Sequence, residues 1–191
     1  MWIQTFTKRQ FFFDDPENEK SQIVMPDIVT ALARKTRFLG HAAFDLKTAE
    51  HSVVVSYIVE ALGGTKYAQL IGLMHDAHEA YTGDMTKPMK QFLKEFCGFD
   101  IGPLEKSVQE RIYRALLIPS PNGNVAALVA QADLYALYTE RWLYCRSDHI
   151  WDSDGIKLPE DFKSLYQNLD KQEAGRAFAR RYNQLRDKGV V

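Results

Sequence analysis

Residues 70–84, LIGLMHDAHEAYTGD, form the stretch that decides the fold. The apolar run Leu70–Met74 ends at His75 and Asp76, so a helix through this run carries an imidazole and a carboxylate on adjacent side-chain directions. A buried carboxylate without a partner is costly, and it therefore shifts its pKa, finds a partner or binds a cation. Imidazole and carboxylate together suit manganese, iron, cobalt or zinc, which makes metal binding the hypothesis to follow outward from this stretch.

The composition is typical of a soluble globular protein. The chain has 191 residues, 46% of them hydrophobic and 26% charged, with a net charge of −1. This length predicts one domain, or at most two, with a substantial core. A net charge near zero gives no electrostatic case for a nucleic-acid polymer as partner, whereas a small anionic substrate needs only local cations.

The sequence carries no sign of secretion or membrane insertion. No apolar run approaches the roughly 18 residues of a membrane helix, and the start Met1-Trp2-Ile3-Gln4 does not have the form of a signal peptide. Cys97 and Cys145 lie far apart in unrelated contexts, which is typical of reduced thiols. We therefore expect a cytoplasmic protein without a membrane partner.

Hydrophobic periodicity predicts an all-α, single-domain helical bundle over residues 1–191, with an irregular aromatic N-terminal arm. Within the arm, a short extended piece or hairpin is predicted at residues 3–13. Thr48 has the placing of a helix N-cap. A loop is predicted at 146–159. The predicted helices run from Pro26 to near Gly40, from Thr48 to Gly63, over 67–81, from Pro88 to Cys97, and over 105–117, 125–144 and 171–186.

Three of these helices each place a metal-competent side chain on an inward face. His51 lies on an apolar stripe, His75 and Asp76 follow Met74, and Asp133 interrupts a long apolar run. Any one of them alone is most simply a hydrogen-bonded core residue. Four such costly groups in one core are most economically accommodated by joint coordination of a divalent ion.

This pattern resembles that of the HD-domain phosphohydrolases, an all-α superfamily in which two histidines and two aspartates hold a divalent metal. The string HDAHEAYTGDMTKPMK at 75–90 closely resembles the small bacterial 5′-deoxynucleotidases, and Ala49-Glu50-His51-Ser52 matches their first-histidine segment. The chain is also similar to HD triphosphohydrolases of phages and antibiotic pathways that act on dATP-like nucleotides. The resemblance implies a metal-site core at about 26–145 and one divalent transition metal (Co, Mn, Zn or Fe), with Mg accompanying the phosphates.

Two acidic residues of the string are the catalytic candidates. Glu79, four residues after His75 on the same helical face, is placed to act as general base or acid, as the glutamate of the nucleotidase pattern does. The alternative interpretation is that Glu79 is an exposed side chain paired with a lysine. Asp84 matches the second acidic residue of the nucleotidase pattern, which lies near the attacking water or the sugar. The alternative role for Asp84 is to cap the N-terminus of the helix at Pro88.

Cations and aromatic side chains around the string are the predicted substrate contacts. Arg37 lies at about the position where the nucleotidases carry a phosphate-contacting arginine followed by an aromatic residue, here Phe38 instead of tryptophan. His41 and His78 are predicted to bind phosphate, or His78 to support the metal ligands. The remaining predicted contacts are Lys87 and Lys90 for phosphate, and Tyr81 and Tyr135 for sugar or base.

The sequence thus predicts a metal-dependent phosphohydrolase of deoxynucleotides, with dATP-like dNTPs favoured by the short chain and by the Arg-Phe-x-Gly-His stretch at 37–41. One alternative is a 5′-deoxynucleotidase that converts a dNMP into deoxynucleoside and phosphate. Another is a catalytically silent, nucleotide-binding helical module. The order H-x-x-H-E at 75–79 differs from both zinc-protease motifs, H-E-x-x-H and H-x-x-E-H. Aromatic residues at 2–13 predict self-association into a homo-oligomer.

Overall fold

The computed structural model describes residues 1–145 and 160–186, and it confirms the all-α prediction. The predicted loop at 146–159 lies outside the described residues. Among those residues no helix is both long enough and apolar enough to cross a membrane. The helices of the described part are α1 (Met25–Arg34), α2 (Thr48–Ala61), α3 (Lys66–Met74), α4 (Glu79–Thr82), α5 (Lys87–Phe96), α6 (Gly102–Ala115), α7 (Gly123–Tyr144) and α8 (Lys171–Arg186).

Helix α2 is the centre of the bundle, with α1, α3, α7 and α8 packed around it. Its residues from Thr48 to Ser56 are all buried, as is typical of a helix enclosed on every side. Gly72 on α3 permits a close approach, because a Cβ at this position would lie 3.0 Å from a methyl group of Val59. This packing places His51 of α2 beside the C-terminal end of α3, where His75 follows.

Two predicted helix boundaries are wrong. Lys47, and not Thr48, precedes α2, and no side chain caps its N-terminus. Helix α1 ends at Arg34, well before Gly40, because a short turn at Arg37–Gly40 has φ angles of 54° at Phe38, 54° at Leu39 and 77° at Gly40. These left-handed values cannot continue a right-handed helix.

The N-terminal arm contains the predicted hairpin, formed by β1 (Trp2–Gln4) and β2 (Gln10–Phe12) in antiparallel pairing. Phe11 is fully buried and packs between the guanidinium of Arg111, 4.4 Å from its ring centroid, and the ring of Tyr81, 4.0 Å away. The arm is therefore partly built into the core. Self-association stays a prediction.

Two further features complete the fold. Both cysteines are free thiols, as predicted. Helix α5 contains no buried residue, and its apolar side chains Met89, Phe92 and Phe96 are exposed. Gly83, with φ of 90°, ends α4. It therefore separates helix α5 from the site residues at 75–79.

Candidate metal centre

Regular α-helical hydrogen bonding stops at Met74, and residues 75–78 form a turn with bonds between residues three apart that leads to α4, so the prediction of one continuous helix over 67–81 is wrong. The break has a specific partner on α6. The side chain of Gln109 donates from Nε2 to the Met74 carbonyl oxygen at 2.8 Å and accepts at Oε1 from the His78 backbone N–H at 3.0 Å. An α-helix would join these two backbone groups directly. Gln109 therefore satisfies both groups and opens the helix where His75 and Asp76 must turn toward α2.

Gln109 was not recognised from the sequence. The only available signal was its place beside Val108 and Ile112 on the inward face of an amphipathic helix, and that signal does not identify its partner.

We expect Gln109→Met to destabilise the protein by about 1 to 3 kcal/mol, because the partly buried His78 N–H loses its acceptor. The same substitution should weaken metal binding by about 10- to 100-fold, since the turn that positions His75 and Asp76 loses its support. Urea unfolding and Mn²⁺ titration measure the two effects. The matched control is Gln91→Met on the exposed helix α5, where Gln91 bonds only Glu95 among the described contacts. Equal metal affinity in the Gln109 and Gln91 variants would contradict this role.

The four side chains predicted as metal ligands meet at one point. His51 Nε2 lies 3.1 Å from Asp133 Oδ1 and 3.6 Å from Asp76 Oδ2. His75 Nε2 lies 3.1 Å from Asp76 Oδ2 and 3.6 Å from Asp133 Oδ1. Helix α2, the turn after α3 and helix α7 thus bring two imidazoles and two carboxylates together.

The donor atoms fit a divalent ion. His75 places Nδ1 at 2.8 Å from the Gly72 carbonyl oxygen, and His51 places Nδ1 at 2.6 Å from Glu140 Oε1, so each ring can hold a hydrogen on Nδ1 and present a lone pair on Nε2. Both Nε2 atoms are buried and make no well-aligned hydrogen bond, although each lies 3.1 Å from a carboxylate oxygen. Ligands at about 2.1 Å from one ion are separated by about 3.0 to 3.5 Å, close to the separations seen here.

Glu140, which the sequence did not reveal as a site residue, supports His51 from behind. It is fully buried, seven residues after Asp133 on the same side of α7, and it accepts from Arg37 Nε at 2.8 Å as well as from His51. Tyr166 donates to the same carboxylate at 2.9 Å. Burial opposes the ionisation of Glu140, but Arg37 and His51 more than offset this and lower its pKa. Glu140 is thus an anion that holds the ring of His51 in place.

Glu79 lies inside the cluster, and the alternative of an exposed glutamate paired with lysine is wrong. The residue is only 4% exposed, and its Oε2 atom has no hydrogen-bond partner. Burial, together with the negative charges of Asp76 and Asp84, raises the pKa of Glu79 to about 9. Its carboxyl group therefore keeps a proton at neutral pH in the metal-free protein.

Asp84 is partly buried beside this group, and burial is the main cause of its raised pKa. The alternative of an N-cap at Asp84 is wrong, because Thr86 is the residue that precedes α5. Lys35, at the end of α1, is a cation that the sequence did not single out. Burial lowers the pKa of Lys35, while the nearby charges of Glu79 and Asp84 oppose that effect.

Of the predicted substrate contacts, three already have partners beside the site. Arg37 pairs with Glu140 and approaches Asp76 with NH1 at 4.0 Å, and its guanidinium lies 5.7 Å from the ring of Phe38. Lys90 Nζ lies 2.8 Å from Glu105 Oε1, and His78 Nε2 lies 3.8 Å from the same oxygen.

The described contacts do not connect the other predicted substrate residues to the metal cluster. His41 and Lys87 are exposed. Tyr135 accepts a hydrogen bond from Gln131, and Tyr81 packs on Phe11. A role for these four residues stays a prediction.

Fold and site together define a helical protein whose histidine, aspartate and glutamate cluster is compatible with an HD-type metal site. No protein-family model matches the chain. The uncharacterized protein YfdR of Escherichia coli K12 is 31% identical over 140 residues, which span 73% of this chain and 70% of YfdR. The chain therefore belongs to the YfdR family.

Proposed function

We propose that this protein is an HD-domain, metal-dependent phosphohydrolase of deoxynucleotides, with dATP-like dNTPs as substrates. The observation that carries the proposal is the convergence of His51, His75, Asp76 and Asp133, with two unpartnered Nε2 atoms facing two carboxylates. A divalent transition metal bound there (Co, Mn, Zn or Fe) would supply Lewis-acid activation of water and of a phosphoryl oxygen, with Mg accompanying the substrate phosphates.

Side chains of the protein carry out the other functions that hydrolysis requires, which are proton transfer, charge stabilisation and orientation of the ligands. Glu79 holds a proton at neutral pH in the metal-free protein and belongs to the same cluster as Asp76, so it is placed to donate that proton to a leaving oxygen. Lys35 supplies positive charge next to Glu79 and Asp84. Arg37 orients Glu140, which in turn fixes the ring of His51.

A 5′-deoxynucleotidase is the second candidate, and the pairing of the cations favours it. A triphosphate needs several positive groups to stabilise its charge. Arg37 and Lys90 already form ion pairs with Glu140 and Glu105, each at 2.8 Å. Fewer cations are then available than the sequence suggested, and this suits a single phosphate better than three.

Glu79 weighs against a silent nucleotide-binding module. A structural ion needs only its ligands, whereas a buried carboxyl group without a hydrogen-bond partner costs folding free energy. Retention of such a group beside a metal centre is typical of catalytic sites.

Incubation with dNTPs and dNMPs in the presence of Mn, Co, Zn or Mg, followed by chromatography of the products, tests the function. Nucleoside with tripolyphosphate would indicate a triphosphohydrolase, and nucleoside with orthophosphate from a dNMP would indicate the nucleotidase. We expect Asp76→Ala to abolish turnover and Glu79→Ala to lower it by about 10²- to 10⁴-fold.

The control is Asp45→Ala, because Asp45 is an exposed carboxylate that pairs with Lys47. It should leave turnover unchanged. Full activity of Glu79→Ala would refute the proton-transfer role. Nucleotide binding without turnover under every metal would favour the silent module instead.

A further inference from the structure

Glu50 precedes His51 on α2, but its hydrogen bonds go to a distant part of the chain. The residue is 1% exposed, and its two carboxyl oxygens accept from the backbone N–H groups of Gln167 at 2.8 Å and Leu169 at 3.0 Å. Both donors belong to the joining segment, residues 166–170, which leads into α8. Within the described part of the chain, these two N–H groups have no backbone acceptor. Glu50 therefore fixes the backbone of the joining segment.

Tyr166, the first residue of the joining segment, reaches the metal centre from behind. Its hydroxyl lies 2.9 Å from Glu140 Oε1 and 3.2 Å from the Ala136 carbonyl oxygen. The same Oε1 atom lies 2.6 Å from His51 Nδ1. Burial and the negative charge of Glu140 raise the pKa of Tyr166 well above the ordinary value of 10.0, so the hydroxyl keeps its proton at neutral pH. Tyr166 thus helps to hold the carboxylate that orients the ring of His51.

The place of the Tyr166 hydroxyl depends on the backbone that carries it. The N–H of Tyr166 itself makes a long bond of 3.3 Å to the Lys163 carbonyl oxygen. Tyr144 contacts the segment through the side chain of Asn168, with its hydroxyl 2.5 Å from Oδ1. The two backbone bonds of Glu50 are shorter than the first contact and, unlike the second, they constrain the main chain directly. Helix α2 therefore carries both a metal ligand and the side chain that fixes the support of this ligand.

We infer that Glu50 is a positioning residue for the candidate metal centre and acts through the hydroxyl of Tyr166. That hydroxyl holds the carboxylate of Glu140, which in turn orients the ring of His51. The inference rests on the metal centre of the proposed function but does not require that the protein hydrolyse nucleotides. A purely structural Glu50 would contribute to the free energy of unfolding alone. A positioning residue also contributes to the affinity of the folded protein for its metal.

A double-mutant cycle on the Mn²⁺ affinity of the full chain, measured by calorimetric titration of the folded protein, tests this route. Glu50→Gln turns an amide NH₂ toward one of the two backbone N–H donors, and Tyr166→Phe removes only the hydroxyl. We expect each substitution to weaken Mn²⁺ binding by about 10-fold. Because both act on the same carboxylate, the double variant should also bind about 10-fold more weakly than the wild type. Independent effects would instead multiply to about 100-fold.

The matched control is Glu60→Gln, because Glu60 lies on the same helix and pairs with Arg181 at 2.7 Å. This variant should bind Mn²⁺ as the wild type does, and a 10-fold loss in it would overturn the inference.

Three further outcomes separate the inference from the proposed function. Wild-type affinity in Tyr166→Phe would overturn the inference even if Glu50→Gln fails to fold, and so would a 100-fold loss in the double variant. Coupled losses of affinity in a protein that hydrolyses no nucleotide would overturn the proposed function and support the role of Glu50. A wild type that binds no Mn²⁺ would overturn both.

Discussion

Replacing Glu79 with glutamine is expected to stabilise the metal-free protein by about 2 to 4 kcal/mol at a pH of about 7.5. Replacing Glu140 with glutamine should destabilise it by about 3 to 5 kcal/mol. Both residues are buried glutamates, Glu140 against His51 and Glu79 near His75, and glutamine has nearly the same shape as either. Only the substitution of Glu140 removes a charge at neutral pH, because Glu79 is protonated there. The opposite signs follow from their surroundings.

For Glu79, burial and the charges of Asp76 and Asp84 raise the pKa from an ordinary 4.5 to about 9. Folding at neutral pH then requires this carboxyl to take up a proton. The stability present below pH 4.5 is lost as pH rises toward 9, at about 1.4 kcal/mol per pH unit. Glutamine does not titrate, so Glu79→Gln removes this slope.

For Glu140 the pKa is lowered, because Arg37 and His51 outweigh the effect of burial. Its contribution to stability is present above pH 4.5 and is lost as pH falls through its lowered pKa. Glutamine at this position leaves the buried guanidinium of Arg37 without its anion. Breaking one partner of such a pair is costly.

Urea unfolding of both variants in a chelator, at several pH values from about 5 to 9, measures these effects. The wild type serves as reference for the pH slope. A less stable Glu79→Gln protein at neutral pH would contradict the assignment of a protonated carboxyl. A neutral effect of Glu140→Gln would contradict the ion pair that supports His51.

The metal ligands were accessible to sequence reasoning because each is a metal-competent group that interrupts or follows an apolar run, although the side chain of Asp133 is 43% exposed in the structure. His51 lies on a helix that proved to be buried on every side, and Asp133 interrupts an apolar run. Helix α8 was predicted with its observed bounds, since its apolar positions recur at regular helical spacing. Local patterns of this kind are sufficient to predict a helix when the contacts that determine its bounds lie within the helix itself.

The supporting residues were not accessible, because their roles depend on contacts between distant parts of the chain. Arg37 and Glu140 are 103 residues apart, and Gln109 is 31 residues from His78. Contacts between residues so far apart in the chain produce no periodic pattern in the sequence. The break between α3 and α4 is a further example, since hydrophobic periodicity continues through it while a side chain from α6 replaces the backbone bond.

Replacing Asp133 with asparagine is expected to weaken Mn²⁺ binding at the candidate metal centre by more than about 100-fold, because even the loss of residues that only support ligands costs about 10- to 100-fold. Asp133 Oδ1 lies within 3.6 Å of both unpartnered histidine nitrogens, so asparagine removes a negative charge from the point where the ion would bind.

The protonation of His75 gives the same experiment a second readout. Burial opposes protonation of His75, but the carboxylates of Asp76 and Asp133 more than offset it and hold its pKa well above the ordinary value of 6.5. A metal ligand must present a lone pair, so binding at neutral pH should release at least one proton per ion.

Calorimetric titration in two buffers of different ionisation enthalpy measures the affinity and the released protons together. Asp45→Asn, at an exposed carboxylate, is the matched control and should behave as the wild type does. Wild-type affinity in Asp133→Asn would show that helix α7 contributes no ligand. Metal binding without proton release would show that the ion does not displace the proton of His75, and the centre would then lie elsewhere in the chain.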